Sequence, residues 1–181
     1  VDKRKNMYKD DERYMKQAIS LAKKGLGWTN PNPMVGAVIV KNGKVIGEGY
    51  HRKYGERHAE RDALRNCTES AAGATIYVTL EPCCHQGKQP PCTEAIIQAG
   101  ITRVVIGSLD PNPLVSGKGV EILRKHNIQV DDRLVCNEEC IAMNYVFFHY
   151  IRNKQPYMIV KYAQTLDGKI ATHNGLSKWI T

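Results

Sequence analysis

Two positions separate His58 from Glu60, and nine separate Cys83 from Cys92; Pro82 precedes the first cysteine and Pro90-Pro91 the second. One imidazole and two thiolates make three zinc-type ligands and leave Glu60 unligated. Structural zinc closes all four tetrahedral positions with Cys or His, whereas catalytic zinc takes three protein ligands and keeps the fourth position for water. The set therefore reads as a hydrolytic centre holding one Zn2+ per chain. A metal so held lowers the pKa of its water to about 7. A carboxylate beside it can carry protons, a contribution of about 10² to 10⁴ in rate. Taken singly, each piece has a plainer explanation: His-x-Glu is common on solvated helix faces, and cysteines are common core residues. Their joint occurrence with these prolines outweighs those explanations.

The elements that must position these groups follow from the same spacing. Residues two apart on a helix do not share a face, so His58 and Glu60 reach one site only from a first turn, and a helix is predicted to start at His58. A strand over 75–80 delivers Glu81-Pro82-Cys83, and a helix over 93–99, closed by Gly100, starts beside Cys92. Helix N-termini favour anionic sulfur. Upstream, Asp10-Asp11-Glu12 precede an amphipathic helix with Met15, Ala18, Ile19 and Ala22 on one face, ended by Lys23-Lys24-Gly25. Segments 35–40 and 44–50 form a hairpin across Asn42-Gly43. A strand over 103–107, a helix over 118–126, a short strand over 128–130 and a helix over 138–150 complete an alternating α/β pattern, a sheet covered by helices.

His-x-Glu followed by Pro-Cys and a second Cys is the signature of zinc nucleobase deaminases, with a longer interval between the cysteines. The run V-T-L-E-P-C-C-H-Q-G-K-Q-P-P-C ending at Cys92 resembles the deaminase domain of the bifunctional riboflavin-biosynthesis deaminase/reductase family (RibD/RibG). So do Asn32-Pro33-Met34-Val35-Gly36-Ala37-Val38, Gly49-Tyr50-His51, Tyr54-Gly55-Glu56 and Asp110-Pro111-Asn112-Pro113-Leu114-Val115. The resemblance runs from about Tyr14 to Thr181. It implies a three-layer α/β/α cytidine-deaminase-like fold with a central mixed sheet of about five strands, plus a short C-terminal β-rich segment. It also implies a reaction: hydrolysis of 2,5-diamino-6-ribosylamino-4(3H)-pyrimidinone 5′-phosphate to 5-amino-6-ribosylaminouracil 5′-phosphate and ammonia.

By the same resemblance His58, Cys83 and Cys92 match zinc ligands and Glu60 the proton carrier. Asn32, His51, His85, Lys88, Asp110 and Asn112 match substrate-binding positions. Amides and imidazoles suit the pyrimidine edge and ribose, and Lys88 suits the phosphate. Read without the resemblance, Asn32 and Asn112 start Asn-Pro turns, His51 and His85 are loop histidines, and Lys88 is one lysine among many. Cys84 stands where many relatives carry Ser and offers a rival thiolate; Cys83 is retained as ligand because it directly follows Pro82. Gly117-Lys118-Gly119 looks weakly like a phosphate loop, but a flexible entry to the next helix accounts for it.

At 181 residues and 42% hydrophobic content the chain suits one well-buried domain with a short appendage. The expected division is a flexible end over 1–9, a deaminase domain over 10–152, and a linker with the start of a reductase domain over 153–181. The last begins at the polar Arg152-Asn153-Lys154-Gln155-Pro156 and contains Thr165-Leu166-Asp167-Gly168-Lys169-Ile170-Ala171-Thr172 and Ser177-Lys178-Trp179-Ile180-Thr181. About 25 residues fall short of the roughly 50 a folded domain needs, so NADPH and reductase activity are expected only in a longer, reductase-containing form. No apolar run approaches the roughly 18–20 residues of a membrane span, and the expectation is a cytoplasmic protein with no membrane partner. Net charge is +8, dispersed apart from Lys3, Arg4 and Lys5. No aromatic-rich basic stripe accompanies it, and the charge favours anions without choosing between a nucleotide-like molecule and a tRNA loop. The partner the resemblance implies is a small phosphorylated pyrimidine, with nucleic acid not expected. A homo-oligomer is left open. Cys67, Cys84, Cys136 and Cys140 are expected as reduced thiols; a second metal site at Cys136 and Cys140, four apart on a predicted helix, is left open, without other obvious ligands. The competing readings are a tRNA or free-nucleobase deaminase and a non-catalytic zinc-binding domain.

Overall fold

The computed structural model describes residues 3–113 and 115–178. Val1, Asp2, Leu114 of the 110–115 turn, and Trp179, Ile180 and Thr181 of the last motif lie outside them. Five strands, β1 (Gly36–Lys41), β2 (Lys44–Tyr50), β3 (Thr75–Val78), β4 (Arg103–Ile106) and β5 (Gln129–Asp131), form one sheet in the order β2-β1-β3-β4-β5. β1 runs antiparallel to both β2 and β3, and the β3-β4 and β4-β5 pairs are parallel. The hairpin turns on Asn42 and Gly43 at φ 51° and 75°, the left-handed pair whose twist matches that of the flanking strands. Parallel neighbours need crossovers; α3 (Cys92–Gln98) makes the first and α4 (Lys118–Lys125) the second.

Successive strand residues point to opposite faces, and on this sheet both faces are apolar. Val38, Val40, Tyr77 and Val105 pack with Tyr14, Met15, Ala18 and Ile19 of α1 (Lys3–Ala22) and with Cys140. Ala37, Ile39, Ile76, Val104 and Ile106 pack with Ala59, Ala63, Ile96, Val120 and Leu123 on the other side. Two buried faces require two covering layers, so the molecule is a three-layer α/β/α sandwich around a mixed five-stranded sheet.

α2 (Ala59–Arg65) lies directly on the hairpin at Gly47 and Gly49. A Cβ on Gly49 would sit 2.2 Å from the Ala63 nitrogen and 2.6 Å from the Ala59 oxygen, so only glycine lets these backbones touch. At the opposite end, Asp11 is 1% exposed. It accepts hydrogen bonds from both Arg103 Nη atoms (2.9 and 2.8 Å), Tyr77 Oη (2.9 Å) and Arg133 (3.0 Å). These bonds connect α1 to β3 and β4.

Three expectations need correction. α1 is helical from Lys3, whereas the sequence placed Asp10-Asp11-Glu12 ahead of the helix; the Tyr8 ring lies against the Arg133 guanidinium, 4.3 Å away. The single helix over 138–150 is two, α5 (Asn137–Met143) and α6 (Tyr145–Asn153), broken at Asn144. There the side chain leaves the helix to bond the Met34 backbone twice, at 2.8 Å each. The C-terminal segment is not β-rich: no described residue after Asp131 belongs to a strand. It holds two tight turns, closed by Thr165 N–H to Lys169 O and Thr172 N–H to Leu176 O (2.9 Å each), and leaves Met158, Val160 and Leu166 exposed. Short strands with no neighbouring sheet are marginal in water.

Candidate metal centre and its cavity

His58 is the N-cap of α2, extended at φ −71°, ψ 160°, and Glu60 stands in the first turn. Cys92 is the first residue of α3. Cys83 lies on the segment after β3, its carbonyl accepting the Thr93 N–H at 3.2 Å. His58 Nδ1 is 3.4 Å from Cys83 Sγ and 3.5 Å from Cys92 Sγ, and the three donor atoms lie within 4.8 Å of one another. Tetrahedral zinc, with Zn–S about 2.3 Å and Zn–N about 2.0–2.1 Å, separates N and S donors by about 3.6 Å, so this triangle fits the ion. Cys84 lies outside the triangle.

The protonation states fit it too. A hydrogen bond from the Cys92 thiol, with help from His58, brings Cys83 down to about 4 and holds Cys92 well above the usual thiol range. A divalent cation held by both sulfurs would take them as thiolates, with release of the remaining proton. Glu60, 3% exposed, is pushed up to about 7, chiefly by burial and then by the Cys83 thiolate. Elsewhere, Cys140 is buried in the core, which raises its thiol to about 12.

His58, Glu60 and Cys83 face a cavity of about 360 Å³, and all six residues read as substrate-binding line it: Asn32, His51, His85, Lys88, Asp110 and Asn112. His51 is buried; its Nδ1 lies 2.9 Å from the Arg57 carbonyl, which can only accept. Nε2 is then the acceptor for the Asn32 amide at 3.1 Å, and burial lowers the pKa, so a neutral imidazole with a defined tautomer results. Asp110 accepts the Asn112 N–H at 2.8 Å, so the plain turn-forming role of this segment holds beside its place in the cavity wall. Burial raises the Asp110 carboxyl. Lys88 Nζ stands 4.0 Å from the Tyr54 ring centroid, and Gln89 Nε2 donates to Gly55 O at 3.2 Å, which closes the 85–89 loop over the 54–56 loop.

Several contributors were given no site role in the sequence, although Glu81, Tyr54 and Glu56 lie within the motifs quoted. Glu81, 4% exposed, accepts backbone N–H groups from Asp110 (3.3 Å), Gly117 (3.0 Å), Gly119 (3.0 Å) and Val120 (3.4 Å). The N–H groups of the phosphate-loop lookalike are therefore spent inside the protein, and the segment is a helix entry, as the plainer reading had it. An acid directly before Pro-Cys was the available signal. Tyr54, Glu56, Phe147 and Ile151 also line the cavity; the last two carry the four-residue spacing of one helix face.

A five-stranded mixed sheet between helical layers, with His, Cys and Cys gathered beside a buried glutamate at two helix N-termini, defines a zinc-dependent deaminase fold. The family model described as "Cytidine and deoxycytidylate deaminase zinc-binding region" matches residues 8–108, and the chain belongs to that family. More particularly, it is similar to riboflavin biosynthesis protein RibD. Identity to RibD of Actinobacillus pleuropneumoniae is 60% over 171 residues, 94% of this chain and 45% of the relative. Among solved structures, RibD of Acinetobacter baumannii superposes with a TM-score of 0.91 at 50% identity, over 96% of this chain and 49% of that one. The diaminohydroxyphosphoribosylaminopyrimidine deaminase/5-amino-6-(5-phosphoribosylamino)uracil reductase of Thermotoga maritima gives 0.89 at 53% identity, over 97% and 50%. The chain spans about half the length of these relatives. Among the described residues no helix is long and apolar enough to cross a membrane.

Proposed function

We propose that this chain hydrolyses the ring amino group of 2,5-diamino-6-ribosylamino-4(3H)-pyrimidinone 5′-phosphate, adding water at C2 and releasing ammonia to leave 5-amino-6-ribosylaminouracil 5′-phosphate. The observation that carries the reading is one cavity that Glu60, six substrate-matched side chains and two members of the His58, Cys83 and Cys92 cluster, His58 and Cys83, line together. Its volume of about 360 Å³ suits a ligand of single-nucleotide size.

Zinc held by His58 Nδ1 and the two sulfurs would supply Lewis acidity that makes water a nucleophile near neutral pH. Glu60 would take one proton of the attacking water on a carboxylate oxygen and deliver it to the adjacent ring nitrogen. It would then take the remaining proton from the new C2 hydroxyl and give it to the amine, so that the C2–N bond breaks, ammonia leaves and the C2 carbonyl forms. Its burial beside the metal ligands, facing the cavity, is the placement such a proton carrier needs. His51, neutral and oriented by Arg57 and Asn32, and the Asp110-Asn112 turn read the polar edges of the pyrimidine and ribose. Lys88 receives the phosphate at the cavity rim. We assign no NADPH chemistry to residues 153–178, whose side chains are largely exposed.

The test is ammonia release by the zinc-loaded chain from this substrate, its dephosphorylated form, cytidine, free cytosine and a tRNA. The expected result is turnover of the phosphorylated pyrimidinone, with Glu60→Gln retaining zinc and losing about 10³-fold or more in kcat. Equal activity in that variant overturns the assignment of Glu60, and preference for tRNA or a free base overturns the substrate. Absence of turnover on every substrate leaves the non-catalytic zinc domain.

A further inference from the structure

We infer that Asn144 is a positioning residue. It fastens the face of α6 that carries Phe147 and Ile151 to the 32–35 loop, and these two side chains form the apolar wall that receives the substrate ring. The inference rests on the deaminase reading for the substrate, and on geometry alone for the fastening.

Asn144 is 6% exposed and begins α6, its carbonyl accepting the Phe148 N–H at 3.0 Å. Its side-chain oxygen accepts the Met34 N–H and its side-chain nitrogen donates to the Met34 carbonyl, at 2.8 Å each. An amide is the side chain that offers a donor and an acceptor side by side, so Asn144 pairs Met34 as a neighbouring strand would. Residues 144, 147 and 151 fall on one helical face by their i, i+3, i+7 spacing. Phe147 and Ile151 line the cavity together with Asn32, Pro33 and Val35, the residues on either side of Met34. The same loop is tied onward to the site: His51 N–H donates to Val35 O at 2.9 Å, and Asn32 bonds the His51 ring.

One side chain thus connects an apolar wall to a polar wall of the same cavity. An aromatic and a branched aliphatic side chain are the surfaces that bind the faces of a flat heterocycle, while the polar groups fix its edges. Phe147 and Ile151 complete the recognition of a planar substrate whose polar contacts Asn32, His51 and Asp110 provide, and their placement depends on residue 144.

The experiment compares Asn144→Ala, Phe147→Ala and the double variant, each loaded with zinc, in steady-state turnover of the pyrimidinone phosphate. Each single change is expected to raise KM about 10-fold with kcat within about threefold and zinc content unchanged, and the double no more than the larger single, because both act through one wall. Effects that multiply, or a wild-type KM in Asn144→Ala, overturn the inference. Should Asn144→Ala fail to fold, Asn144→Asp carries the same test, since it keeps the acceptor for the Met34 N–H and removes the donor to its carbonyl. Two readouts need no substrate: exchange of the Met34 amide, expected to speed about 10-fold in the Asn144 variants and not in Phe147→Ala, and the Ile151 methyl resonance, expected to shift in the Asn144 variants. An unmoved Ile151 resonance sinks the positioning role whatever the enzyme acts on, whereas a wild-type chain that releases no ammonia while both readouts respond overturns only the substrate.

Discussion

Arg61 and Pro91 are joined across two elements: Arg61 Nη2, on α2, donates to the Pro91 carbonyl at 2.9 Å, while its Nε donates to the Pro90 carbonyl at 3.1 Å. Pro91 is the N-cap of α3, whose first residue is Cys92. The residue after Glu60 therefore sets where the last sulfur stands relative to the first imidazole. Arg61→Ala is expected to weaken zinc binding about 10-fold, measured by competition with a chromophoric chelator. Arg61→Lys should recover only part of it, because an ammonium lacks the planar fork that meets two carbonyls at once. Unchanged affinity in both would mean that α3 places Cys92 unaided.

Glu81 makes the next prediction. Its carboxylate gathers four backbone N–H groups from the segment carrying Asp110 and from the start of α4. In Glu81→Gln one of the two accepting atoms becomes a donor facing other donors. The expected loss is about 2–3 kcal/mol of stability by urea denaturation, with a raised KM as the 110–117 segment loosens. A stability loss with KM unchanged would confine Glu81 to folding.

The neighbouring cysteines separate cleanly. Cys83→Ser should abolish stoichiometric zinc binding, since that sulfur is one corner of the triangle. Cys84→Ser should leave it intact: burial raises the Cys84 thiol, so it stays protonated near neutral pH. Metal analysis of the two variants decides the matter, and loss of zinc in Cys84→Ser would reassign the ligand.

Acid stability should depend on Asp131. Burial opposes its ionisation, but hydrogen bonds from Arg133 and Arg103 outweigh that and bring its pKa down to about 2. Because the folded value lies below the unfolded one of about 3.9, the contribution is fully present above about pH 4 and drains away as pH falls through 2. Between pH 5 and pH 2 the wild type should lose about 2 kcal/mol more than Asp131→Asn. Parallel stability curves for the two proteins would refute this.

What the sequence revealed was mostly local. Asn42-Gly43 announced its hairpin because both positions need a left-handed backbone, and His58, Glu60, Cys83 and Cys92 announced themselves because helix starts and metal ligands are written in short spacings. The misreadings lie where distant partners decide. The stretch around Asn144 looks helical throughout, and only a residue 110 positions away breaks it. The first turns of α1 meet Arg133 from beyond β5. Strand-like residues such as Ile159 and Val160 remain unpaired by any strand, since pattern supplies a tendency and only a neighbouring strand supplies the hydrogen bonds. Of the cavity, the polar edge was legible by resemblance, and the apolar side waited on the packing of α6.

At Gly49 the backbone of α2 rests on the backbone of β2 with nothing interposed. A helix seated on a side chain can drift as that side chain changes rotamer; one seated on peptide groups has no such play. The imidazole and the carboxyl at the head of α2 therefore inherit the stiffness of a hydrogen-bonded sheet, and the distance between ligand and proton carrier is guarded by a glycine that touches neither.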